Sequence, residues 1–416
     1  MEEARTRILG HFDILDPEFK SILDAQGQVL AEDMIGPFDL PPLDNSAMDG
    51  YAIISGDARG ASEYKPVTLR VVGSLAAGQV PTKNVVHGTA IRIMTGAPIP
   101  DGADAVVPFE NTDEMDRKSS GRELSEIDVR TEVPASANIR LAGQDVEKGD
   151  RVIPKGTILG AAEIGVLASL GYEHVNVFRR PVVSIIATGN ELLGIGGEPE
   201  VGKIYDSNSY SLAAAVKKSG GVPRLVGIAR DDVDDLSNKL EAGLLSDILL
   251  TSAGVSKGDY DIVKDVLADH GQIDLWSVRM RPAKPLAFGM LDLNKSAPVP
   301  HLGLPGNPVS ALVGFEQFGR PAIRKMMGHK KLDRPTIWAT LEDAIYNYDN
   351  RKVFARAVVK KREGRYFVNL TGNQSSNILT SMIRANGLAI CPEDIAVKEP
   401  GQLVEVQMLD WPEEVF

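Results

Sequence analysis

Four loops in this 416-residue chain carry the residue types that can do chemistry on an anion. They are Thr188-Gly-Asn-Glu191, Ala229-Arg-Asp-Asp232, Thr251-Ser-Ala-Gly-Val-Ser-Lys-Gly-Asp-Tyr-Asp261 and Pro305-Gly-Asn-Pro-Val-Ser310. Gly and Ser let backbone N–H groups approach an oxyanion, and a following helix N-terminus adds a positive field. The carboxylates of Glu191, Asp231 and Asp261 would repel a phosphate unless a divalent cation lay between them. Together they suggest Mg²⁺ with a phosphorylated ligand. Any one of these loops could simply end a strand or cap a helix; four at one edge favour a site. Arg279-Met-Arg-Pro-Ala-Lys-Pro285 holds three cations on a proline-fixed backbone, which suits a tetrahedral oxyanion or, equally, a solvated basic turn. Weaker candidates are Asp44-Asn-Ser-Ala-Met-Asp-Gly50, Ile91-Arg-Ile-Met-Thr-Gly96, Thr371-Gly-Asn-Gln-Ser-Ser376 and Arg356, each readable as a turn or an exposed charge.

The elements that would position these loops follow from periodicity. From Val182 the chain alternates strands (182–187, 224–228, 247–251, 273–279) with helices (209–219, 233–242, 261–269), which predicts a parallel sheet covered on both faces. In such a sheet, ligands bind beyond the carboxyl ends of the strands, where the four loops fall. A further strand at 301–304 leads into Asn307-Pro308, an N-cap with proline in the first turn, opening a helix to about Met327. Upstream, 2–24 and 29–33 have loose helical spacing. Strands at 67–72, 89–94, 105–109 and 123–129 suggest a small β domain, and a helix is expected at 161–170, stopped by Gly171. Strands at 336–341, 353–359, 366–370, 387–391 and 403–408 suggest a small barrel or sandwich.

Composition limits the function. Lys+Arg number 45 and Asp+Glu 57, a formal charge of −12. Such a chain lacks the basic face of a nucleic-acid or acidic-membrane binder, although a small anion can still be held locally. From His329 onward twelve basic and twelve acidic residues balance, so the acidic excess lies upstream. The single cysteine, Cys391, excludes an intrachain disulfide and a thiolate zinc cage. The start, MEEARTRILGHFDIL, lacks the apolar core of a secretory signal, and no apolar run approaches a membrane span. A cytosolic protein is expected.

Taken together, the motifs resemble one family. DNSAMDGYA (44–52), RIMTGAPIPDGADAVV (92–107), GQDV (143–146), TGNEL (188–192), IYDSN (204–208), GVSKGDYD (254–261), RPAKP (281–285) and LPGNPVS (304–310) follow the motif order of the molybdopterin molybdenumtransferases, MoeA, which are similar to the E domain of gephyrin. The resemblance covers nearly the whole chain. It implies Mg²⁺-dependent insertion of molybdate into adenylylated molybdopterin, with release of AMP. It also implies an α/β and β multidomain fold of four domains, elongated and homodimeric. These would be domain I at 1–44 and 137–178, β-rich domain II at 45–136, a MogA-like parallel α/β molybdopterin-binding domain III at 179–328, and a C-terminal β-barrel domain IV at 329–416. The site would lie between the α/β and C-terminal domains of one subunit and the N-terminal region of the other, with a molybdopterin adenylyltransferase as a possible partner.

By resemblance, Asp49, Thr95 and Asp145 match polar residues of the N-terminal half. Glu191, Asp231 and Asp261 match carboxylates that would support Mg²⁺, with Asp261 and nearby Ser256 at the hydrolysis step. Pro305 and Pro308 shape the PGNP turn. Arg281, Lys284, Arg356 and Ser376 match positions that receive molybdate and phosphates. The chain departs from the family at five places: Asn190 for Asp in TGDE, Ala253 for Gly in GGVS, Arg281 and Ala283 in KPGKP, and Ser277 for a lysine. Two other readings are a gephyrin-like peptide-binding scaffold with weak or lost transfer, and the adenylyltransferase itself. Tungstate could replace molybdate, since the two oxyanions are alike in size and charge.

Overall fold

The computed structural model describes residues 1–253, 271–292 and 298–411, with side chains described outside 271–276. The helix expected at 261–269 lies outside the described residues. The chain divides into two compact units: Met1–Ala31 with Gly156–Ala161 and His174–Phe416, and Glu32–Lys155 with Ala162–Glu173.

The first unit is built on a six-stranded sheet. Its strands run in the order Val222–Ala229, Val182–Thr188, Ile248–Ser252, Val299–Leu304, Pro285–Leu291, Gly271–Ser277. The first four are mutually parallel and the last two antiparallel to each other. A parallel sheet was expected; Pro285–Leu291, a strand the sequence did not suggest, runs against the others, and Gly271–Ser277 beyond it runs with them. The cause is connection length: seven residues, 278–284, join Gly271–Ser277 to Pro285–Leu291, whereas a parallel return needs a dozen or more. Val182–Thr188 and Ile248–Ser252 are buried along nearly their whole length, Ser184 and Thr251 included, as strands covered on both faces are. Helix Asn208–Lys218 follows Val182–Thr188 in the chain, and Val233–Gly243 is capped by Asp232, whose carboxylate accepts from the Asp235 N–H at 2.9 Å. After Asn307, helix Pro308–Gly314 widens to a π turn over Phe315–Gly319 and resumes as Arg320–Met326, matching the expected span to about Met327.

The N-terminal helix is shorter than its spacing suggests. It spans Glu2–Leu9, while Pro17–Ser21 is a strand paired antiparallel with His174–Phe178. Pro17 cannot continue a helix but can begin an edge strand, which overrides the loose periodicity. Residues 29–33 are likewise extended, with bridges at Val29 and Leu30. Ile8 and Phe12 join Val183, Leu250, Leu302 and Phe318 in the main core.

Beyond Arg334 the chain closes a barrel. Lys352–Arg362, Arg365–Leu370, Thr336–Leu341, Leu403–Met408 and Gly387–Cys391 pair in that order, and Gly387–Cys391 pairs back to Lys352–Arg362. Closure leaves no free edge within the ring. Met280–Arg281 adds a short parallel pairing to Lys352–Val353, so the basic loop after the α/β sheet is stitched to the barrel.

The second unit holds a five-stranded sheet in the order Ala105–Pro108, Gly50–Ile53, Thr89–Ile93, Val67–Leu75, Glu126–Val129. Four of these strands were expected; Gly50–Ile53, directly after the Asp44–Asp49 turn, was not. A buried ionic knot supports the sheet. Glu114, inaccessible to solvent, accepts from Arg92 at 2.8 Å, Lys118 at 2.5 Å and the Tyr51 hydroxyl at 2.5 Å. The Arg92 guanidinium lies 4.4 Å over the Phe109 ring. No described helix is long and apolar enough to cross a membrane.

Candidate functional site

Two cavities in the first unit collect five of the residues singled out above: Glu191, Pro305 and Pro308 in one, Arg281 and Arg356 in the other. The larger, about 510 Å³, is lined by the strand ends and turns at Thr188, Glu191, Ser252, Ala253 and Pro305–Pro308, together with Asp206–Asn208 and Asn377. The smaller, about 400 Å³, is lined by Arg281, Arg356, Tyr346, Tyr348 and Asn373–Ser375. They are neighbours. Pro285 faces the first and Pro282 the second, while Asn377 faces the first and Ser375 the second. Ser375 Oγ donates to Asn377 Oδ1 at 2.6 Å, linking the walls of the two.

The larger cavity is framed by turns that need their residue types. Gly189 has φ +139°, and a Cβ there would lie 2.2 Å from a Glu191 carboxylate oxygen, so only glycine lets that carboxylate fold back over the turn. Asn190 and Asp231 clasp each other. The Asn190 N–H donates to Asp231 Oδ2 at 3.2 Å, and the Asp231 N–H donates to Asn190 Oδ1 at 3.3 Å. The departure at Asn190 therefore removes a charge beside Asp231 while keeping an acceptor for its amide. Asp231 is exposed just outside the lining. Pro305 and Pro308 both line the cavity, as expected of the PGNP turn.

Asn208 was quoted within a motif but given no role, and it ties the frame together. Its Nδ2 donates at 2.7 Å to Ser252 Oγ and at 2.7 Å to Gly306 O. The carbonyl partner fixes the amide's orientation, because only the NH₂ can face it. Ser252 and Gly306 end adjacent parallel strands, so one buried side chain at the start of helix Asn208–Lys218 sets the spacing of both turns. Ala253 and Ala283 adopt φ +77° and +69°, the left-handed region that glycine prefers.

The smaller cavity contains a buried cation. Arg356 is 1% exposed. Its guanidinium donates to Ser381 Oγ at 3.1 Å, Ser375 O at 3.0 Å and Asn373 O at 3.4 Å. No carboxylate among the described residues lies within ion-pair distance of it. Burial alone pulls its pKa down to about 10, so it stays charged at neutral pH without a counter-ion. Arg281 lines the same cavity, donates to Tyr346 O, and lies 3.7 Å from Asp349.

The remaining candidates are spread more widely. Ser376 lies between the two linings and offers its carbonyl to the Val309 N–H at 3.1 Å. Lys284 is exposed beside Pro285 and lines neither cavity. Asp49 and Thr95 meet in the second unit. Asp49 Oδ1 accepts from the Thr95 N–H at 2.7 Å and its hydroxyl at 2.8 Å, which lowers the Asp49 pKa. Asp145 is exposed in the same unit, its amide donating to Leu40 O. Ser256 and Asp261 lie outside the described residues. No cluster of three metal-ligating side chains occurs among the described residues. Tyr346 and Tyr348 gave no signal in the sequence beyond their spacing.

Known proteins match this arrangement along the whole chain. Residues 1–171 match the MoeA N-terminal region (domain I and II), 184–325 a probable molybdopterin binding domain, and 339–409 the MoeA C-terminal region (domain IV). The chain is 37% identical over 393 residues to molybdopterin molybdenumtransferase 2 of Mycobacterium tuberculosis, covering 92% of this chain and 93% of that protein. It is 37% identical over 381 residues to a molybdopterin molybdenumtransferase of Nostoc, covering 91% and 85%. Among solved structures, the molybdopterin biosynthesis MoeA protein of Pyrococcus horikoshii superposes with a TM-score of 0.81 at 31% identity, covering 99% of each chain. The chain belongs to the MoeA family of molybdopterin molybdenumtransferases.

Proposed function

We propose that the protein inserts molybdate into adenylylated molybdopterin, releasing AMP and molybdenum cofactor. The observation that carries this reading is the pair of adjoining cavities with different chemistry. The larger is walled by small-residue turns with Glu191 at its edge. The smaller is floored by a buried guanidinium with no carboxylate at ion-pair distance among the described residues. A substrate with a nucleotide phosphate at one end and a metal-binding dithiolene further along would span such a pair, with the oxyanion beside Arg356.

The turns at Ser252–Ala253 and Pro305–Pro308 cradle the phosphoanhydride, and Asn208 holds them at fixed spacing. Arg356 and Arg281, with Ser375 and Ser376 alongside, receive molybdate. Glu191 and Asp231 supply the carboxylate oxygens that a hard cation prefers, and one or two protein carboxylates with phosphate oxygens are the usual Mg²⁺ environment. Glu191 and Asp231 are donors of the kind Mg²⁺ prefers, and on the family resemblance Asp261 would add a third carboxylate. Bound there, the ion would neutralise phosphate charge and polarise the anhydride. Positioned cations and backbone dipoles lower the barrier by stabilising charge that develops on the phosphate as the bond breaks. No protein nucleophile is required: an oxygen of water or of molybdate attacks phosphorus as AMP leaves, and the substrate's own two sulfurs become ligands of the metal as molybdate oxygens depart as water.

The full chain should release AMP from adenylylated molybdopterin only when both molybdate and Mg²⁺ are present, and Glu191→Gln should slow that release. Release without molybdate dependence would overturn the reading. On the family resemblance the protein acts as a homodimer of four-domain subunits divided as set out above, with Asp49, Thr95 and Asp145 serving the site. Light scattering on the purified chain tests the dimer.

A further inference from the structure

The smaller cavity has a wall that neither the motifs nor the transfer reaction accounts for. Tyr346 and Tyr348 are two residues apart on an extended segment, so their side chains leave on the same face. Their rings are parallel, 4° between planes and 5.7 Å between centroids, and both line the cavity. Their exposure is high, 49% for Tyr346 and 80% for Tyr348. Asn347, between them, points the other way and is buried. Its Nδ2 donates to Pro392 O and Ile395 O, each at 3.1 Å, and its Oδ1 accepts from the Arg351 N–H at 3.3 Å. The ring pair is thus held from behind by a pinned amide. The same segment governs a cation, since Arg281 donates to Tyr346 O and faces Asp349, which also pairs with Arg351 at 3.2 Å.

An aromatic face beside guanidinium groups recognises flat, electron-poor heteroaromatic rings that carry anionic substituents. Aliphatic or purely anionic guests would gain nothing from a water-exposed tyrosine pair. We propose that Tyr346 and Tyr348 form a stacking wall for the pterin ring of the substrate, with its dithiolene turned towards the molybdate held by Arg281 and Arg356 in the same cavity and its phosphoanhydride reaching into the larger one. This rests on the transferase reading above and adds to it which end of the substrate enters which cavity. The ring stacks on the open face of the pair, because 5.7 Å leaves no room for insertion between the two tyrosines. The phenol hydroxyls are not needed for this contact.

The test uses the full chain and pterin-6-carboxylate, a flat anionic pterin whose fluorescence is quenched on stacking. The wild type should quench it saturably. Tyr348→Ala, and more so the Tyr346→Ala/Tyr348→Ala double variant, should weaken binding about tenfold or more, the usual effect of losing a stacking platform. Tyr348→Phe should stay within about twofold, because the ring face survives. AMP affinity, measured in parallel by calorimetry, should be unchanged in every variant. With adenylylated molybdopterin as substrate, the double variant should raise KM and leave kcat unaltered. Unchanged pterin binding in the double variant overturns the proposal. So does an equal loss in the Phe variant, which would mean a hydroxyl contact, or an equal loss of AMP affinity, which would mean general disorder of the segment. If the wild type releases no AMP yet the tyrosine-dependent quenching stands, the transferase reading fails and the stacking wall survives. If AMP is released and the double variant keeps its KM, the wall alone fails.

Discussion

A Cβ built on Gly306 would lie 3.2 Å from the methyl carbon of Ala253. The two residues face each other from adjacent strand ends, and both line the larger cavity. A left-handed backbone at alanine costs on the order of 1 kcal/mol, and its methyl occupies the space beside the PGNP turn. Gly306→Ala should therefore be costly in the wild type and milder in an Ala253→Gly background. A double-mutant cycle in urea should give a coupling of about 1 kcal/mol. Ala253→Gly alone should change stability by less than about 1 kcal/mol, because relieved strain is offset by a freer unfolded chain. An additive cycle would mean that the methyl is not what demands glycine at 306.

Asn208 is the second place where one atom decides the geometry of the site. Asn208→Asp keeps the shape but sets a carboxylate oxygen against the Gly306 carbonyl. An unsatisfied buried acceptor costs about 1–3 kcal/mol. AMP release should fall by about tenfold to a hundredfold, with only a small change in thermal midpoint if the turns separate locally. Equal turnover by the variant would remove Asn208 from the framework of the cavity.

The architecture was largely legible before the structure, and for definite reasons. The strands at Val182 and Ile248 are mostly apolar, interrupted at Ser184 and ending in Thr or Ser, and the loops after them carry several of the residues that line the larger cavity. The strand Pro285–Leu291 was not legible, because it begins with a proline inside a basic motif that drew attention to its charges. The strand Pro17–Ser21 was hidden by helical spacing upstream, and only its pairing with His174–Phe178 decides its conformation. Of the residues that line the two cavities, Glu191, Pro305, Pro308 and Arg281 stand in the motifs, and Arg356 was assigned to the site by resemblance alone. Tyr346 and Tyr348, which no motif marked, depend on Asn347 being buried, which is a tertiary fact. Arg356 was discounted as an exposed strand charge, yet its side chain points into a wall of backbone carbonyls.

Acid should weaken the protein in two separate windows. His301 is fully buried, with Nε2 2.9 Å from Thr251 Oγ1, and burial lowers its pKa from 6.5 to about 4. Its folded pKa is depressed, so the stability it confers is complete above pH 6.5 and is lost as pH falls towards 4. Glu114 acts lower. Burial raises its pKa, but hydrogen bonds from Arg92, Lys118 and Tyr51 outweigh that and bring it from 4.5 to about 2. Its contribution is complete above pH 4.5 and disappears towards pH 2. Urea midpoints should drop between pH 6.5 and 4.5 in the wild type but less in His301→Gln. A Glu114→Gln variant should flatten the lower window only. A His301→Gln profile identical to wild type would show that this imidazole is not the source of the upper window.

Arg356 should separate stability from function. Its guanidinium is removed from water and held by a hydroxyl and two carbonyls, so the charge itself is a burden on the fold. An unpaired charge taken out of water is costly, and that cost offsets what the three hydrogen bonds contribute. Arg356→Gln should therefore unfold within about 1 kcal/mol of the wild type, or above it. If the charge exists to receive an oxyanion, the same variant should need at least about tenfold more molybdate for half-maximal AMP release, the loss expected when a charged hydrogen bond of about 1.5–3 kcal/mol is removed. Arg356→Lys should rescue only part of this, since an ammonium offers a point charge in place of a planar fork. A glutamine variant that loses stability and keeps its molybdate dependence would make Arg356 a structural strut of the barrel, and would leave the smaller cavity without its anion.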